Sequence, residues 1–343
     1  MSLDALWDNA PVRPLTDQDK VAILSDWHMG NGGPNDDFKK NADIVLEALV
    51  GYYEPRGWTL ILNGDIEEYL RTRPEAIRRA WAPVFVVLDR LRAAGRVIRL
   101  LGNHEIREGV ADFVAVHRPF DGETLKLDYQ GRILFLFHGH QAGKMNSGRY
   151  NALISWSLRV FANTLRIGNS SIANDNTKKF KLEKVVYEFS RKRGALSIIG
   201  HTHRPLFESL SRNESQAYHL ERLCRHWAKA KGERKEAIRQ AVERYRARLH
   251  SPKEPGELHL TDLVYGDVLV PCLFNSGCAV GKRGFTALEI KKGKMALSFW
   301  SDPVRSKKWE AEYKPATVLP GSLRFVLRRE SLDYLFSRIE LLR

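Results

Sequence analysis

The sequence predicts an α/β sandwich, because short apolar runs and amphipathic stretches alternate along its first 100 residues. Five runs rich in leucine and β-branched residues each end in a polar cluster, a pattern typical of buried strands. Strands that alternate with helices are typical of α/β folds. The five strands are expected at residues 21–25, 58–63, 97–101, 132–137 and 195–200.

Two helices are expected between the first three strands, over residues 36–53 and 74–94. Pro74 opens the second helix, and proline suits the first turn. After Asp267 the runs VLVPCLF, FTALEI and MALSFW follow, and the last two are separated by Lys-Lys-Gly-Lys, which indicates a hairpin. We expect these runs to form a second, more antiparallel sheet.

The chain carries a net charge of +14, and this charge concentrates in two segments. Residues 144–194 hold eleven Lys or Arg against three acids, and residues 211–253 hold twelve against five. The chain is long enough to bury a full core, and its length alone would allow one elaborated domain or two. We predict a single domain over residues 1–343. The first segment would be a basic helical lid and the second a basic helical hairpin, both inserted into that domain. A C-terminal extension, residues 302–343, would mix loop with a final helix.

Composition also bears on compartment and partners. The three cysteines are too few for a disulfide framework, which favours a reducing, cytoplasmic location. The start of the chain lacks the pattern of a secretion signal, and no apolar run approaches membrane-spanning length. The basic segments favour acidic partners such as phosphates, nucleic acid or an anionic membrane surface.

Polar clusters stand at or just past the C-terminal end of each predicted strand, the edge at which open α/β sheets bind ligands. Each cluster alone has an ordinary explanation, such as a helix cap or a turn. Their occurrence together, in this order, predicts a functional site. The clusters are Asp26-Trp-His28, Gly64-Asp65, Gly102-Asn103-His104-Glu105, His138-Gly-His140 and Gly200-His201-Thr-His203.

The donor atoms of these clusters favour divalent metal ions. Carboxylate, imidazole and amide oxygen without thiolate suit manganese, iron or zinc. Two such ions need a bridging carboxylate, for which Asp65 is the natural choice, and together they lower the pKa of a shared water. We therefore predict two divalent metal ions as cofactors, with manganese first and iron or zinc as alternatives.

The series of clusters resembles the calcineurin-like metallophosphoesterase family, whose motifs are Asp-x-His, Gly-Asp, Gly-Asn-His-Asp/Glu, a His after a strand, and Gly-His-x-His. The resemblance covers about residues 20–300 apart from the insertions, and it implies a four-layer α/β/β/α metallophosphoesterase sandwich of two mixed sheets with inserted helical lid elements. One metal would be held by Asp26, His28, Asp65 and His203. The second would be held by Asp65, Asn103, His138 and His201.

The resemblance also implies the hydrolysis of a phosphomonoester, phosphodiester or pyrophosphate by a hydroxide that bridges the metals. His104 would hydrogen-bond the scissile phosphate and protonate the leaving oxygen, and Glu68 would orient His104. A purely structural role for His104, capping the turn beside Asn103, is the alternative. His140 matches no ligand position, so we expect it either to support the ligands from behind or to be exposed.

Beyond the core, the layout is similar to that of bacterial UDP-2,3-diacylglucosamine pyrophosphatases. A helical lid precedes the last metal motif, and Arg204-Pro205 follows Gly-His-Thr-His directly. This similarity implies a nucleotide-linked lipid substrate and peripheral contact with an anionic membrane. The apolar stretch 151–165 would hold acyl chains or would only cover the core of the lid. This chain departs from that group at His104 and His140, where those enzymes usually carry Arg and Asp, and in its second basic insertion.

The residues expected to contact the substrate are Asn103, Lys144, Asn146 and Arg149, with surface solvation as the alternative for the last three. Nucleic acid or a cyclic nucleotide is the main rival substrate, since a basic face binds phosphate backbones. Trp227 and Tyr245 in the second insertion occupy apolar positions that suit burial better than base stacking. An inactive scaffold of the same fold is a further alternative, but it predicts missing ligands, and every ligand is present.

Overall fold

The computed structural model describes residues 2–106, 120–143, 176–209, 232, 235–240, 242–243, 270–281 and 284–343. Several sequence-based expectations lie outside these residues: the apolar helix at 151–165, most of the hairpin at 211–253, and the substrate contacts Lys144, Asn146 and Arg149. Within the described parts of the chain, no helix is long and apolar enough to cross a membrane.

The larger of two mixed sheets contains, among the described residues, seven strands in the order β11-β12-β10-β9-β2-β3-β4. Its parallel part consists of β2 (Lys20–Leu24), β3 (Thr59–Asn63) and β4 (Val97–Leu100). These are the first three strands expected from the sequence, and their positions are confirmed.

The hairpin after Asp267 requires a correction. It forms as expected from β9 (Phe285–Lys291) and β10 (Lys294–Ser301), but β9 pairs antiparallel with β2. The hairpin therefore extends the sheet of the first strands and does not open a second sheet. Local sequence patterns indicate a hairpin but carry no information on which distant strand it joins.

The smaller sheet has, within the described residues, the strand order β1-β5-β6-β7-β8. Its strands are β1 (Val12–Pro14), β5 (Thr124–Tyr129), β6 (Arg132–Phe137), β7 (Leu196–Ile199) and β8 (Leu273–Asn275). Strands β6 and β7 are those expected at 132–137 and 195–200. Strand β8 comes from the VLVPCLF run and pairs parallel with β7, so it too differs from the expected antiparallel arrangement.

Helices cover the outer sides of the two sheets. In chain order they are α1 (Leu3–Asn9), α2 (Ala42–Ala48, continued by a π-helical turn over Leu49–Tyr53), α3 (Pro74–Ala80), α4 (Ala82–Ala93), α5 (His140–Gly143) and α6 (Asn176–Arg193). The helix expected over 74–94 is thus divided at Trp81, and the basic helix expected in the first insertion is α6.

Alternate residues of the central strands pack on opposite sides, as the two-residue period of a strand requires. Ile23 and Ile61 of the larger sheet belong to the core between the sheets, with Leu134 of the smaller sheet. Leu24 and Leu60 face outward and pack in a second core with residues of α2 and α4. Two sheets between helical layers confirm the α/β/β/α sandwich.

The C-terminal segment contributes to both cores and differs from the expected mixture of loop and helix. It consists of α7 (Pro303–Glu310), β11 (Thr317–Val318), β12 (Leu323–Ser331) and α8 (Leu332–Leu342). Strand β12 pairs antiparallel with β10 in the larger sheet, and the buried Leu335 and Phe336 of α8 join the core between the sheets.

Candidate metal centre

The strand ends that carry the polar clusters adopt unusual backbone conformations. Asp26 and His28 follow β2, Asp65 follows β3, and His201 and His203 follow β7; all five have positive φ angles between 51° and 64°. A non-glycine residue rarely adopts this left-handed conformation, and such strained residues cluster at functional sites. The strain turns these side chains toward a common space at the edge of the two sheets.

Their ligand atoms lie close together. Three overlapping groups have all ligand atoms within 4.8 Å of one another: Asp26 with His28 and His203, His28 with Asp65 and His104, and Asp65 with His138 and His201. His28 Nε2 lies 3.1 Å from His203 Nε2, and His138 Nε2 lies 3.0 Å from Asp65 Oδ2. Asp65 belongs to two of the groups, as a bridging carboxylate would.

The residues present fit divalent cations. Asn103 Oδ1 and His201 Nε2 are buried without a hydrogen-bond partner, which is costly unless a ligand completes their bonding. Donors about 2.1 Å from one cation and at right angles to each other lie about 3 Å apart, which is the separation of the His28 and His203 nitrogens. The donor set of carboxylates, imidazoles and an amide oxygen matches borderline divalent ions.

Hydrogen bonds from the far side of the rings fix the orientation of two histidines. His138 Nδ1 lies 2.8 Å from the backbone oxygen of Asn63, and His28 Nδ1 lies 3.2 Å from Glu68 Oε2. An Nδ1–H donor leaves Nε2 deprotonated, which is the form of imidazole that binds a metal. Both rings therefore present Nε2 to the cluster.

Buried charges of opposite sign shift the pKa values of the cluster. Burial alone raises the pKa of Asp65, but His138 and His28 hold it well below its usual range. Burial likewise lowers the pKa of His138, yet the carboxylates of Asp65 and Asp26 raise it to about 10. The two buried carboxylates thus favour positive charge between them, and a bound cation would supply that charge in place of a proton.

His104 lies beside this cluster and contacts Glu68, as expected from the sequence. Its Nδ1 lies 2.7 Å from Glu68 Oε2, and its ring packs edge-on against His28 with 4.5 Å between the ring centroids. The His104 side chain is 16% exposed, so a substrate can reach it. Burial raises the pKa of Glu68, but hydrogen bonds from His104 and His28 lower it to about 2, so Glu68 is ionised at neutral pH.

Glu105 holds the loop of Asp65 to the loop of Asn103, a role that the sequence did not reveal. Its buried carboxylate accepts hydrogen bonds from the backbone N–H groups of Ile66 (2.9 Å) and Gly102 (2.8 Å), among others. The backbone N–H of His104 in turn donates to Asp65 Oδ1 at 2.8 Å. The sequence signal for this role is the glutamate at the fourth position of Gly-Asn-His-Glu, since a carboxylate can accept several N–H hydrogen bonds.

Glu183 of α6 is the second residue that sequence reasoning missed. It is fully buried and accepts a hydrogen bond from Thr202 Oγ1 at 2.9 Å, and it forms an ion pair with Arg204. Thr202 and Arg204 flank His203 in the chain, so this carboxylate anchors the His201–His203 loop to the first basic insertion. The only sequence signal for it is that Glu183 is one of two acids among the basic residues of α6.

His140 lies behind the cluster and not at the surface. It is buried at the start of α5, with its ring centroid 5.6 Å from that of His138 and 6.2 Å from that of His201. Of the two positions expected for His140, the structure has the buried one, beside the expected ligands, and not the exposed one.

Comparison with known proteins adds a family to this geometry. The solved structures that match include a predicted phosphoesterase from Streptococcus pneumoniae (13% identity, 91% of this chain and 99% of that chain, TM-score 0.33). They also include a Vps29 mutant from Entamoeba histolytica (13%, 84% and 94%, 0.35) and a dimetal phosphatase from Danio rerio (11%, 82% and 96%, 0.36). Such distant similarities carry no inference about activity.

A comparison with curated proteins gives no match. The model of the calcineurin-like phosphoesterase family matches residues 19–205, which is more than half of the chain and spans all five polar clusters. The chain therefore belongs to the calcineurin-like phosphoesterase family.

Proposed function

We propose that this protein is a hydrolase of phosphate-ester or pyrophosphate bonds that works with two divalent metal ions, manganese first among them. The observation that carries the proposal is the convergence of carboxylate and imidazole side chains from both sheets, with His104 beside them. One ion would be held by Asp26, His28, Asp65 and His203. The other would be held by Asp65, Asn103, His138 and His201.

When bound, two such ions supply Lewis acidity and lower the pKa of a shared water. The chain's own residues then orient the substrate and deliver a proton. His104 Nδ1 contacts Glu68, which leaves Nε2 as the ring nitrogen that can donate to a phosphate oxygen and then to the leaving oxygen. Glu68 restrains the His104 ring, so that little orientational freedom is lost when the substrate binds.

The activity is testable with bis-p-nitrophenyl phosphate and manganese. Wild-type protein should hydrolyse the ester, while His104→Ala should keep its bound manganese, measured by elemental analysis, and lose about 10²–10⁴-fold in kcat toward an ester with a poor leaving group. An inactive scaffold would be silent in both proteins. Full activity of His104→Ala toward an ester with a poor leaving group would disprove the role of His104 as proton donor.

For the substrate we propose a nucleotide-linked lipid such as UDP-diacylglucosamine, hydrolysed in the cytoplasm at an anionic membrane surface. The support is the basic, partly apolar insertion at 144–194 and Arg204-Pro205 after the last metal motif. In the structure, Arg204 pairs with Glu183 of α6, so this motif is bonded to that insertion. Lys144, Asn146 and Arg149 would contact the phosphate or headgroup.

Parallel incubations with UDP-sugars, lipid-linked nucleotides and short oligonucleotides would identify the substrate class. The proposal predicts cleavage of the lipid-linked nucleotide at its pyrophosphate. Cleavage of oligonucleotides alone, with binding that weakens steeply as salt is added, would replace it with a nucleic-acid phosphodiesterase.

A further inference from the structure

A cleft lined by cationic side chains lies at the end of the larger sheet that is opposite the metal centre. The metal ligands follow the C-terminal ends of β2 and β3, whereas this cleft lies at the other ends of the same strands, about 15–20 Å away along the sheet. Its volume of about 320 Å³ suits a small ligand. The cleft is lined by Tyr52, Trp58, Glu289, Lys291, Lys292, Lys294, Ala296, Arg324 and Arg329.

The floor of this cleft is buried, and its charges are already paired. Glu289, the one acidic residue of the lining, accepts hydrogen bonds from Arg324 Nε at 3.0 Å and from the Tyr53 hydroxyl at 2.8 Å. The guanidinium groups of Arg324 and Arg56 also lie over the Tyr52 ring, at 5.0 Å and 4.6 Å from its centroid. The Glu289 carboxylate is therefore committed to the floor and leaves the rim uncompensated.

The rim consists of four exposed cations: Lys291, Lys292, Lys294 and Arg329. None of them forms an ion pair with a carboxylate of the described residues. The strand register adds to the excess charge, because Lys291 stands directly opposite Lys20 of β2 on one side and opposite Lys294 of β10 on the other. Like charges directly opposite each other on one sheet face are destabilising.

The pKa of Lys291 reflects this crowding. Burial lowers it, and the positive charges of Lys20 and Lys292 lower it further. An anion in the cleft would relieve the repulsion and stabilise the protonated lysines. Because ammonium and guanidinium groups are the usual partners of phosphate oxygens, the rim fits a phosphorylated ligand.

We propose that this cleft binds a soluble small molecule with phosphate groups and at least two negative charges, at a site separate from the metal centre. The cations surround a single cavity, which favours a compact polyanion as the ligand. A ligand that stacks an aromatic ring on Tyr52 is less favoured, since two guanidinium groups already lie over the Tyr52 ring. This inference does not depend on the proposed function.

Equilibrium dialysis of the manganese-loaded protein with ³²P-labelled inorganic phosphate tests the proposal. Wild-type protein should bind one phosphate in the cleft, in addition to any phosphate held at the metal centre. The double variant Lys291→Gln with Lys294→Gln should bind one phosphate fewer than the wild type, or bind the cleft phosphate at least tenfold more weakly, with hydrolysis of bis-p-nitrophenyl phosphate unchanged.

The matched control is Lys307→Gln with Lys314→Gln, which removes the same charge from exposed positions outside the cleft. It should bind phosphate as the wild type does. Equal phosphate stoichiometry and affinity in the wild type and the cleft variant, or an equal loss in the control, would overturn the proposal. The proposed function is tested separately, by the hydrolysis of bis-p-nitrophenyl phosphate. A failure of phosphate binding in the cleft therefore leaves the proposed function standing.

Discussion

Replacing Glu68 with glutamine tests how the site holds His104 and His28 together. One carboxylate oxygen of Glu68 contacts Nδ1 of both rings, at 2.7 Å and 3.2 Å. Glu68→Gln keeps the shape of the side chain and can still accept hydrogen bonds. It removes the negative charge that strengthens both of them.

The expected magnitude follows from the two bonds. A hydrogen bond to a charged group contributes about 1.5–3 kcal/mol and a neutral one about 0.5–1.5, so each ring loses about 1 kcal/mol of orientation energy. Through His104 this predicts a fall of about fivefold to tenfold in kcat/KM at saturating manganese. Through His28 it predicts a similar weakening of manganese affinity, at the lower end of the 10–100-fold range measured for such supporting residues.

The two effects are separated by measuring hydrolysis of bis-p-nitrophenyl phosphate as a function of manganese concentration. Glu75→Gln, in the exposed first turn of α3, is the charge-matched control and should behave as the wild type. If Glu68→Gln changes neither kcat/KM at saturating metal nor manganese affinity by more than twofold, the carboxylate does not organise the site.

Two further predictions concern the support of the centre and its metals. Glu183→Gln should lower the free energy of unfolding in urea by about 1–3 kcal/mol and weaken manganese binding, since the buried ion pair with Arg204 is lost. The surface variant Glu188→Gln should change neither quantity. Equal behaviour of the two variants would refute the anchoring role. Removing manganese with a chelator should lower Tm, because metal at 100 times its Kd contributes about 2.7 kcal/mol. The Tm of Asp65→Ala should not change when the chelator is added. A fall in Tm equal to that of the wild type would mean that the stabilising metal binds elsewhere.

The site was largely predictable because its chemistry lies in short motifs at strand ends. Strands such as β2 and β3 are coded by local apolar runs, and Asp26 and Asp65 follow them directly, so pattern and chemistry coincide within a few residues. The fold class followed from the same alternation of strands and helices. The metal-holding role of these side chains remains a proposal drawn from their convergence.

Features that depend on distant partners were not predictable. Strand β12 reads as polar because of Arg324 and Arg328, yet Arg324 is buried against Glu289 of β9 and Arg328 lies near Glu208. Glu183 looks like an ordinary solvated acid until the fold places it beside Thr202. In each case the polar residue is compatible with burial only through a partner that the local sequence does not contain.

Anomalous diffraction at the manganese absorption edge, on crystals of the manganese-loaded protein, tests the central claim most directly. Two peaks are predicted about 3.5–4 Å apart, with Asp65 in contact with both. The first should also contact His28 and His203, and the second His138 and His201. A single peak, or two peaks that do not share Asp65, would contradict the dinuclear centre on which the proposed hydrolysis depends.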